Sequence, residues 1–175
     1  MKQGFLNPDD ILEQLDLRAD MLAAEFGCGS GGFTIPLAKK LDEGLVYAID
    51  ILEGPLSALK SRQLLEGINN IKIIRANLEK IEGSTIPGHS LDLVFIPNVL
   101  FEADDKAAII KEADRVLKNR GILVIIDWLP QATQGPSEGT RVSAKEVKKI
   151  AEKLGLIFKE ELKAGKYHYG LVFEK

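Results

Sequence analysis

A glycine-rich stretch, Glu-Phe-Gly-Cys-Gly-Ser-Gly-Gly at residues 25–32, constrains the fold of this chain most strongly. The apolar run at residues 21–24 predicts a short buried strand before it, and residues 33–41 have the spacing of an amphipathic helix after it. Glycine in a strand-to-helix turn permits positive φ and lets another molecule approach the main chain closely. The stretch therefore predicts a binding turn.

Two cofactor patterns overlap in this turn. The G-x-G-x-x-G of dinucleotide sites is formed by Gly27, Gly29 and Gly32. The acidic-x-G-x-G-x-G of S-adenosylmethionine (SAM) sites is formed by Glu25, Gly27, Gly29 and Gly31. The glycines alone leave both classes open.

Two carboxylates, those of Asp50 and Glu25, help to decide between a dinucleotide site and a SAM site. Asp50 closes the next predicted strand, residues 45–50, where either cofactor class places an acid on the ribose hydroxyls. Glu25 separates the classes, because a carboxylate beside the turn repels a pyrophosphate but suits SAM, which carries an ammonium and a sulfonium. The residues favour SAM, and an oxidoreductase that uses NAD or NADP is the alternative.

Composition sets the broad class of the protein. With 175 residues, the chain suits one well-buried α/β domain, so we expect a single domain over residues 1–175. The net charge of −3 does not indicate a nucleic-acid surface, and the lysines within residues 145–153 have the spacing of a solvated helix face. A single cysteine, Cys28, excludes an internal disulfide and a Cys-rich zinc site, and we predict no metal site.

The chain contains no apolar run that approaches the ~20 residues of a membrane-spanning helix. It also lacks a positively charged start followed by an apolar core, as a secretory signal would require. We therefore expect a cytoplasmic protein without a membrane span.

Strand and helix patterns alternate five times along the chain. Strands are predicted at residues 21–24, 45–50, 71–75, 91–96 and 122–126, and the clearest helix at residues 104–118, with Gly121 just past its end. Such alternation demands a parallel sheet with helices on both faces. The last two strands, residues 156–162 and 167–173, are joined by a short turn and must form an antiparallel hairpin.

This pattern resembles the class I SAM-dependent methyltransferases, and among them the ubiquinone-biosynthesis-like group (methyltransferase types 11 and 25). The similarity covers nearly the whole chain: residues 25–31 are similar to the first motif of the family, residues 46–50 to the second and residues 115–121 to its RVLKPGG stretch. The resemblance implies a Rossmann-like, doubly wound α/β sheet of seven strands in the order 3-2-1-4-5-7-6, with strand 7 antiparallel.

The resemblance also implies which residues hold the cofactor. Asp50 would bind the ribose hydroxyls, Ile51 would pack on adenine, and Asn77 stands where the family usually has an aspartate that takes the adenine amino group. Asparagine can still accept that hydrogen bond through its carbonyl oxygen. The full expected SAM site, which would also hold the product S-adenosylhomocysteine, is Glu25, Gly27, Gly29, Gly31, Asp50, Ile51, Asn77, Leu78 and Asn98.

The methyl acceptor should bind above the carboxyl ends of the fourth and fifth strands, where open α/β sheets bind ligands. Candidate side chains there are Asn98, Asp127, Trp128, Arg141, His168 and the lead Phe5-Leu6-Asn7. Each also has a structural interpretation: Asp127 as a loop cap, Trp128 as packing, and Arg141 in a surface salt bridge. Asp127 and His168 are the candidates for a general base, which methyl transfer from a sulfonium does not always require.

Missing motifs narrow the acceptor class. The fourth strand is followed by Ile96-Pro97-Asn98-Val99 and not by the Asn/Asp-Pro-Pro-Tyr of enzymes that methylate planar exocyclic amines. Cys28 alone cannot supply the thiols that cytosine-C5 or arsenite methylation requires. We expect a small-molecule acceptor, in a site formed by residues 1–10 and 129–142 or by a second subunit of a homo-oligomer. A SAM-binding regulatory or partner subunit without activity is the non-enzymatic alternative.

Overall fold

The fold is a seven-stranded sheet with helices on both faces, in a computed structural model that describes residues 6–175. The helices are α1 Pro8–Leu12, α2 Thr34–Lys40, α3 Glu53–Leu65, α4 Lys106–Val116 and α5 Ala144–Lys153, with a 3₁₀ turn at Glu138–Thr140. The strands are β1 Leu22–Phe26, β2 Leu45–Asp50, β3 Ile71–Arg75, β4 Leu91–Pro97, β5 Leu117–Trp128, β6 Ile157–Leu162 and β7 His168–Glu174.

The strand order is β3-β2-β1-β4-β5-β7-β6, which confirms the predicted topology. Neighbouring strands from β3 to β5 pair in parallel, whereas β7 runs antiparallel to both β5 and β6. Because parallel strands end at one edge of the sheet, the loops that follow β1, β2, β3, β4 and β5 meet there. The start of the antiparallel β7 lies at the same edge, where His168 pairs with Trp128.

Each face of the sheet buries its own apolar cluster. Helices α1, α2 and α3 pack on one face, where Leu37, Leu59, Phe95 and Val172 are buried together. Helices α4 and α5 cover the other face. The near-continuous apolar sequence of β4 follows from this arrangement, because a strand covered on both sides needs apolar residues at successive positions.

Local capping follows the sequence. Asn7 accepts a hydrogen bond from the Asp9 backbone N–H at the start of α1, and Ser143 accepts one from the Glu146 N–H at the start of α5. Gly67 and Gly155 take positive φ just after α3 and α5. These helix ends therefore depend on nearby residues only.

The junction of α4 and β5 differs from the prediction. The helix ends at Val116, and β5 begins at Leu117, so Gly121 lies within a strand and is not a helix cap. Leu117 pairs with Leu91 of β4, and the pairing resumes at Leu93 with Ile122 after a register shift. Sheet pairing thus overrides the helical periodicity of residues 117–118. Similarly, β1 occupies residues 22–26 and not the predicted residues 21–24.

Removal of the Phe95 side chain tests this core. Phe95 is fully buried in β4 and contacts the ring of Phe33 with centroids 4.8 Å apart, so Phe95→Ala should lower the free energy of unfolding by about 3 to 5 kcal/mol. Ile81→Ala is the control, because Ile81 is almost fully exposed and its truncation should change stability by less than ~0.5 kcal/mol. Urea unfolding measures both, and equal effects would contradict the assignment of Phe95 to the core.

Candidate active site

A cavity of about 360 Å³ opens at the carboxyl ends of β1, β2, β3 and β4. Seven of the nine predicted cofactor residues line it, namely Gly27, Gly29, Asp50, Ile51, Asn77, Leu78 and Asn98. The cavity is also lined by eight residues that the sequence patterns did not indicate, namely Leu52, Pro55, Ala76, Glu79, Val99, Glu102, Ala103 and Ile109. Some of these adjoin predicted residues in sequence, but Ile109 comes from α4 and is brought in only by tertiary packing.

The backbone of the glycine turn follows the SAM pattern. Gly27, Gly29 and Gly31 have φ values of +73°, +50° and +85°, whereas Gly32, which only the dinucleotide pattern requires, is not in the positive-φ region. A Cβ at Gly27 would lie 2.2 Å from Cγ2 of Val99. At Gly29, a Cβ would meet no described atom within 4 Å, so this glycine leaves its side of the cavity open. The turn therefore forms a cradle for a ligand at Gly29.

Glu25 lies beneath the turn and does not line the cavity. Its side chain is 2% exposed and accepts a hydrogen bond from the Thr34 hydroxyl. Burial raises the pKa of Glu25 to about 8, and the negative charge of Asp50 adds to this rise against the effect of the Thr34 bond. The protonated acid therefore dominates at neutral pH without a ligand, so the charge argument from Glu25 weakens.

Asp50 connects the end of β2 to the glycine turn. One carboxylate oxygen accepts from the Gly29 N–H at 2.8 Å, and the other accepts from the Leu52 N–H at 2.9 Å. Each oxygen keeps a lone pair for a further donor. Beside it, Ile51 and Leu52 are 52% and 58% exposed at the cavity. The two carboxylate oxygens of Asp50, each able to accept a further hydrogen bond, thus lie next to the exposed apolar side chains of Ile51 and Leu52.

Asn77 and Leu78 form the wall of the cavity after β3. The Asn77 side-chain oxygen accepts from the Glu79 N–H at 2.9 Å and has capacity for one more donor. Leu78 is buried against the core beneath α4. Both residues line the cavity, and the cofactor contacts that the family resemblance implied for them stay predictions.

The cavity is acidic. Three carboxylates line it, those of Asp50, Glu79 and Glu102, and its described lining includes no lysine, arginine or histidine. A pyrophosphate here would lack a cationic partner and would face negative charge. A cationic ligand suits these carboxylates.

Asn98 follows β4 in a strained conformation. Its φ is +55°, which is uncommon for a residue other than glycine, and its N–H donates to the Ile126 carbonyl at 2.8 Å. Its side-chain oxygen is buried and has no hydrogen-bond partner among residues 6–175. A buried acceptor at a cavity wall is suited to a donor from a ligand.

Asp127, a predicted base candidate, is fully buried at the end of β5. Its carboxylate accepts from the backbone N–H groups of Leu100 at 2.9 Å, Phe101 at 3.3 Å and Trp128 at 2.7 Å. Burial raises its pKa to about 6, while these hydrogen bonds act in the opposite direction. This geometry favours the predicted loop cap over a base.

His168 and Trp128 stack at the same edge of the sheet, with ring centroids 4.1 Å apart and planes inclined by 40°. His168 is 5% exposed, and burial lowers its pKa to about 4. The neighbouring Tyr169 lies on the opposite sheet face, because side chains alternate along a strand, and its hydroxyl donates to the Val142 carbonyl at 3.1 Å. The His168 imidazole is therefore neutral at ordinary pH.

Arg141 organises the loop between β5 and α5. Its guanidinium donates to five backbone carbonyls of that loop, those of Leu129, Pro130, Ala132, Gln134 and Pro136. The expected surface salt bridge is absent from the ion pairs of residues 6–175. Carbonyl binding replaces it, because the loop folds around the guanidinium and directs its oxygens inward.

The remaining predictions concern the lead and ion binding. Phe5 lies outside the described residues, Leu6 packs against the core, and Asn7 caps α1. Within residues 6–175, no group of three or more His, Cys, Asp or Glu side chains is arranged to hold a metal ion. Over the same residues, no helix is both long and apolar enough to cross a bilayer.

A family profile described as "Methyltransferase domain" matches residues 24–125, which is more than half of the chain. The chain belongs to this family. The match includes the glycine turn, Asp50, Asn77 and Asn98. It confirms the predicted membership in the class I SAM-dependent methyltransferases, with SAM as the cofactor of the family.

Individual relatives agree with this assignment. The chain is 29% identical over 119 residues to a demethylmenaquinone methyltransferase of Geobacillus stearothermophilus. The aligned region covers 67% of this chain and 50% of the relative. A SAM-dependent methyltransferase structure from Aquifex aeolicus superposes with a TM-score of 0.88 and 26% identity, covering 97% of this chain and 90% of that one. The chain thus spans about half the length of the curated relative.

A more distant structure shares the fold alone. Geranyl diphosphate C-methyltransferase from Streptomyces coelicolor, in complex with S-adenosylhomocysteine, has a TM-score of 0.78 and 14% identity, covering 95% of this chain and 78% of that one.

The geometry of the glycine turn predicts that alanine destabilises the protein at Gly31 but not at the adjacent Gly32. Gly31→Ala should destabilise the protein by about 1 to 3 kcal/mol, because φ is +85° and the new Cβ would lie 2.4 Å from Cδ1 of Leu59. Gly32→Ala should change stability by less than ~0.5 kcal/mol, because a Cβ there meets no described atom within 4 Å. Urea unfolding measures both variants, and equal losses would contradict this turn geometry.

The buried carboxyl group of Glu25 predicts that the free energy of unfolding depends on pH. Its folded-state pKa of about 8 lies above the ordinary value of 4.5, so the stability that protonated Glu25 contributes is fully present below pH 4.5 and is lost as pH rises toward 8. Glu25→Gln cannot titrate and should lose less stability than the unchanged chain over this window. Urea midpoints without cofactor at pH 5 and 8 test this, with exposed Glu13→Gln as control. Parallel profiles for the unchanged chain and Glu25→Gln would refute it.

Proposed function

We propose that this protein transfers a methyl group from SAM to a small-molecule acceptor by in-line displacement. The acidic cavity carries this proposal: among residues 6–175, three carboxylates and no basic side chain line it, beside a glycine turn that is open at Gly29. SAM is cationic at both its ammonium and its sulfonium. The family assignment supports the same cofactor.

The described residues fit SAM at separate parts of the cavity. The Asp50 carboxylate would accept from the ribose hydroxyls, and the exposed Ile51 and Leu52 would cover adenine. Asn77 would accept from the adenine amino group through its remaining lone pair. Gly27 and Gly29 would let the methionine part approach the backbone.

In this reaction the protein contributes mainly by positioning the two substrates, and proton transfer is of less importance. When bound, SAM provides a methyl group on a sulfonium, which is already a good leaving group. The chain must therefore hold the acceptor in line at roughly 3 to 3.5 Å and keep water out. The loop after β4 is suited to this task, because Asn98 and Val99 line the cavity and Asp127 fixes the following residues.

A quinone-like acceptor is the finer proposal. It is supported by the similarity to demethylmenaquinone methyltransferases, of which this chain spans about half the length. The missing Asn/Asp-Pro-Pro-Tyr motif is consistent with an acceptor other than a planar exocyclic amine. The single domain over residues 1–175, the cytoplasmic location and the oligomeric state stay predictions.

Cofactor binding is tested with S-adenosylhomocysteine and NAD in parallel. S-adenosylhomocysteine at ~100 times its Kd should raise the unfolding free energy by about 2.7 kcal/mol, and NAD should have no effect. Asp50→Ala should weaken binding of S-adenosylhomocysteine about tenfold or more in calorimetry, because the ribose hydroxyls lose a charged acceptor. Exposed Asp42→Ala is the matched control. Stabilisation by NAD alone would replace this proposal with the oxidoreductase alternative.

Methyl transfer is tested with radiolabelled SAM and reduced demethylmenaquinone, followed by a cell extract fractionated for labelled products. We expect label in the quinone or in another small molecule. Binding of S-adenosylhomocysteine without any labelled product would instead favour the SAM-binding regulatory subunit.

A further inference from the structure

Helix α3 contacts the glycine turn through two of its side chains, those of Leu59 and Arg62. Leu59 packs on Gly31, where an added Cβ would lie 2.4 Å from Cδ1 of the leucine. The Nη1 atom of Arg62 donates to the Ser30 carbonyl at 3.0 Å and to the Gly31 carbonyl at 3.3 Å. The helix therefore holds the turn by an apolar contact and by hydrogen bonds from a charged group.

The Ser30 carbonyl depends on Arg62 for a hydrogen-bond partner. No other donor among residues 6–175 reaches this oxygen, whereas the Gly31 carbonyl also accepts from the Ile35 N–H at 3.3 Å. Strand pairing cannot serve these carbonyls, because β1 ends at Phe26. A guanidinium presents several N–H groups in one rigid plane, so a single arginine can serve both carbonyls.

An acidic side chain orients this guanidinium. The Glu66 carboxylate lies 3.7 Å from Nη2 of Arg62 and also pairs with Lys39 of α2 at 2.7 Å. The hydrogen bond from Lys39 lowers the pKa of Glu66, so this carboxylate is ionised at neutral pH. Exposed ion pairs add little stability, so their effect here is to favour one arrangement of the Arg62 side chain.

Helix α3 reaches both halves of the cofactor site. Its first turn follows Ile51 and Leu52, and Pro55 lines the cavity beside them. Arg62 lies roughly 14 Å further along the helix axis than the first helical residue, Glu53. One rigid element thus connects the residues expected around adenine with the turn expected around the methionine part.

We propose that Arg62 is a positioning residue for the cofactor, which fixes the Ser30 and Gly31 carbonyls and so keeps the turn ready for the methionine part of SAM. This inference rests on the proposed function and assigns a role to a side chain outside the lining of the cofactor cavity. Without Arg62, only a fraction of the molecules would hold the turn in the binding conformation. The apparent affinity for the cofactor would fall by that fraction.

Replacement of Arg62 by methionine tests this role. Arg62→Met keeps an unbranched side chain without a donor, and it should weaken binding of S-adenosylhomocysteine about fivefold or more in calorimetry. Lys60→Met is the matched control, because Lys60 is exposed on the same helix and its replacement removes the same charge. The control should change this affinity by less than about twofold. Equal affinities of the two variants would overturn the proposal.

The sign of the effect on SAM separates position from charge. SAM is cationic, so the loss of a positive charge from α3 should by itself strengthen SAM binding slightly. We expect this small gain for Lys60→Met and a loss for Arg62→Met. A gain in SAM affinity for Arg62→Met would show that the guanidinium acts only through its charge, and the positioning role would be wrong.

A shorter ligand, 5′-methylthioadenosine, separates positioning from general damage to the site. It keeps the adenosine and the sulfur but lacks the amino-acid part that the turn is expected to receive. Arg62→Met should change its affinity by less than about twofold, because Asp50, Ile51 and Asn77 are the residues expected around adenosine. Equal weakening of 5′-methylthioadenosine and S-adenosylhomocysteine would contradict a role through the turn.

Two further variants grade the effect on S-adenosylhomocysteine. Arg62→Lys keeps the charge and should recover part of the affinity, because an ammonium can still donate but does not match the planar fork. Glu66→Gln leaves the bonds of Arg62 to the turn in place and should cause a smaller loss than Arg62→Met. A loss of equal size would assign the effect to the ion pair and overturn the proposal.

Nitrogen NMR of the arginine side chains tests the proposal on the unchanged chain. A ligand that requires the ordered turn must in return stabilise the contact of Arg62 with it. S-adenosylhomocysteine should therefore slow N–H exchange at the Arg62 guanidinium about fivefold or more, and 5′-methylthioadenosine should not. Arg18, which is exposed and bonds Asp20 at 3.2 Å, is the control.

The outcomes separate this inference from the proposed function. Failure of the unchanged chain to bind S-adenosylhomocysteine would overturn the methyl-transfer proposal. Normal binding of S-adenosylhomocysteine with no change at the Arg62 guanidinium would overturn the positioning role alone. The NMR measurement does not depend on whether a variant folds.

Discussion

Hydrogen bonds between the glycine turn and the end of β2 hold the cofactor side of this protein together. The N–H groups of Gly27 and Cys28 donate to the Ile49 carbonyl at 2.8 and 2.9 Å, and the Gly29 N–H donates to Asp50 at 2.8 Å. Only a turn with successive left-handed glycines brings these N–H groups to one neighbouring strand. The cavity therefore depends on a backbone path that other residues cannot follow without strain.

A second set of hydrogen bonds to the backbone holds the loops that follow β4 and β5. Asp127 at the end of β5 accepts from Leu100 and Phe101, so the loop after β4 is held to the adjacent strand. The guanidinium of Arg141 holds the loop after β5 by donating hydrogen bonds to the carbonyl oxygens of that loop. Charged side chains thus order two long loops from within, where regular strand pairing has ended.

The site could be predicted in part, for reasons that differ among its residues. Asp50 and the turn glycines follow from local pattern, because the end of a buried strand and a strand-to-helix turn can be recognised within a few residues. Glu25 pointed to the right cofactor through its charge, yet its burial keeps it protonated at neutral pH. The acidity of the cavity supplies the stronger argument, and it requires Glu79 and Glu102, which no local pattern brings together.

Sequence by itself determined the strand and helix alternation, the antiparallel final hairpin and the position of the binding turn, because periodicity and turn chemistry are local properties. The family resemblance supplied the strand order and the residues that are expected around the cofactor. Tertiary structure alone decided the end of α4 at Val116, the carbonyl partners of Arg141 and the lack of a hydrogen-bond partner for the His168 nitrogens among residues 6–175. Each of these depends on which distant groups meet in three dimensions, since strand pairing, loop closure and burial are set by the packed sheet and not by neighbouring residues.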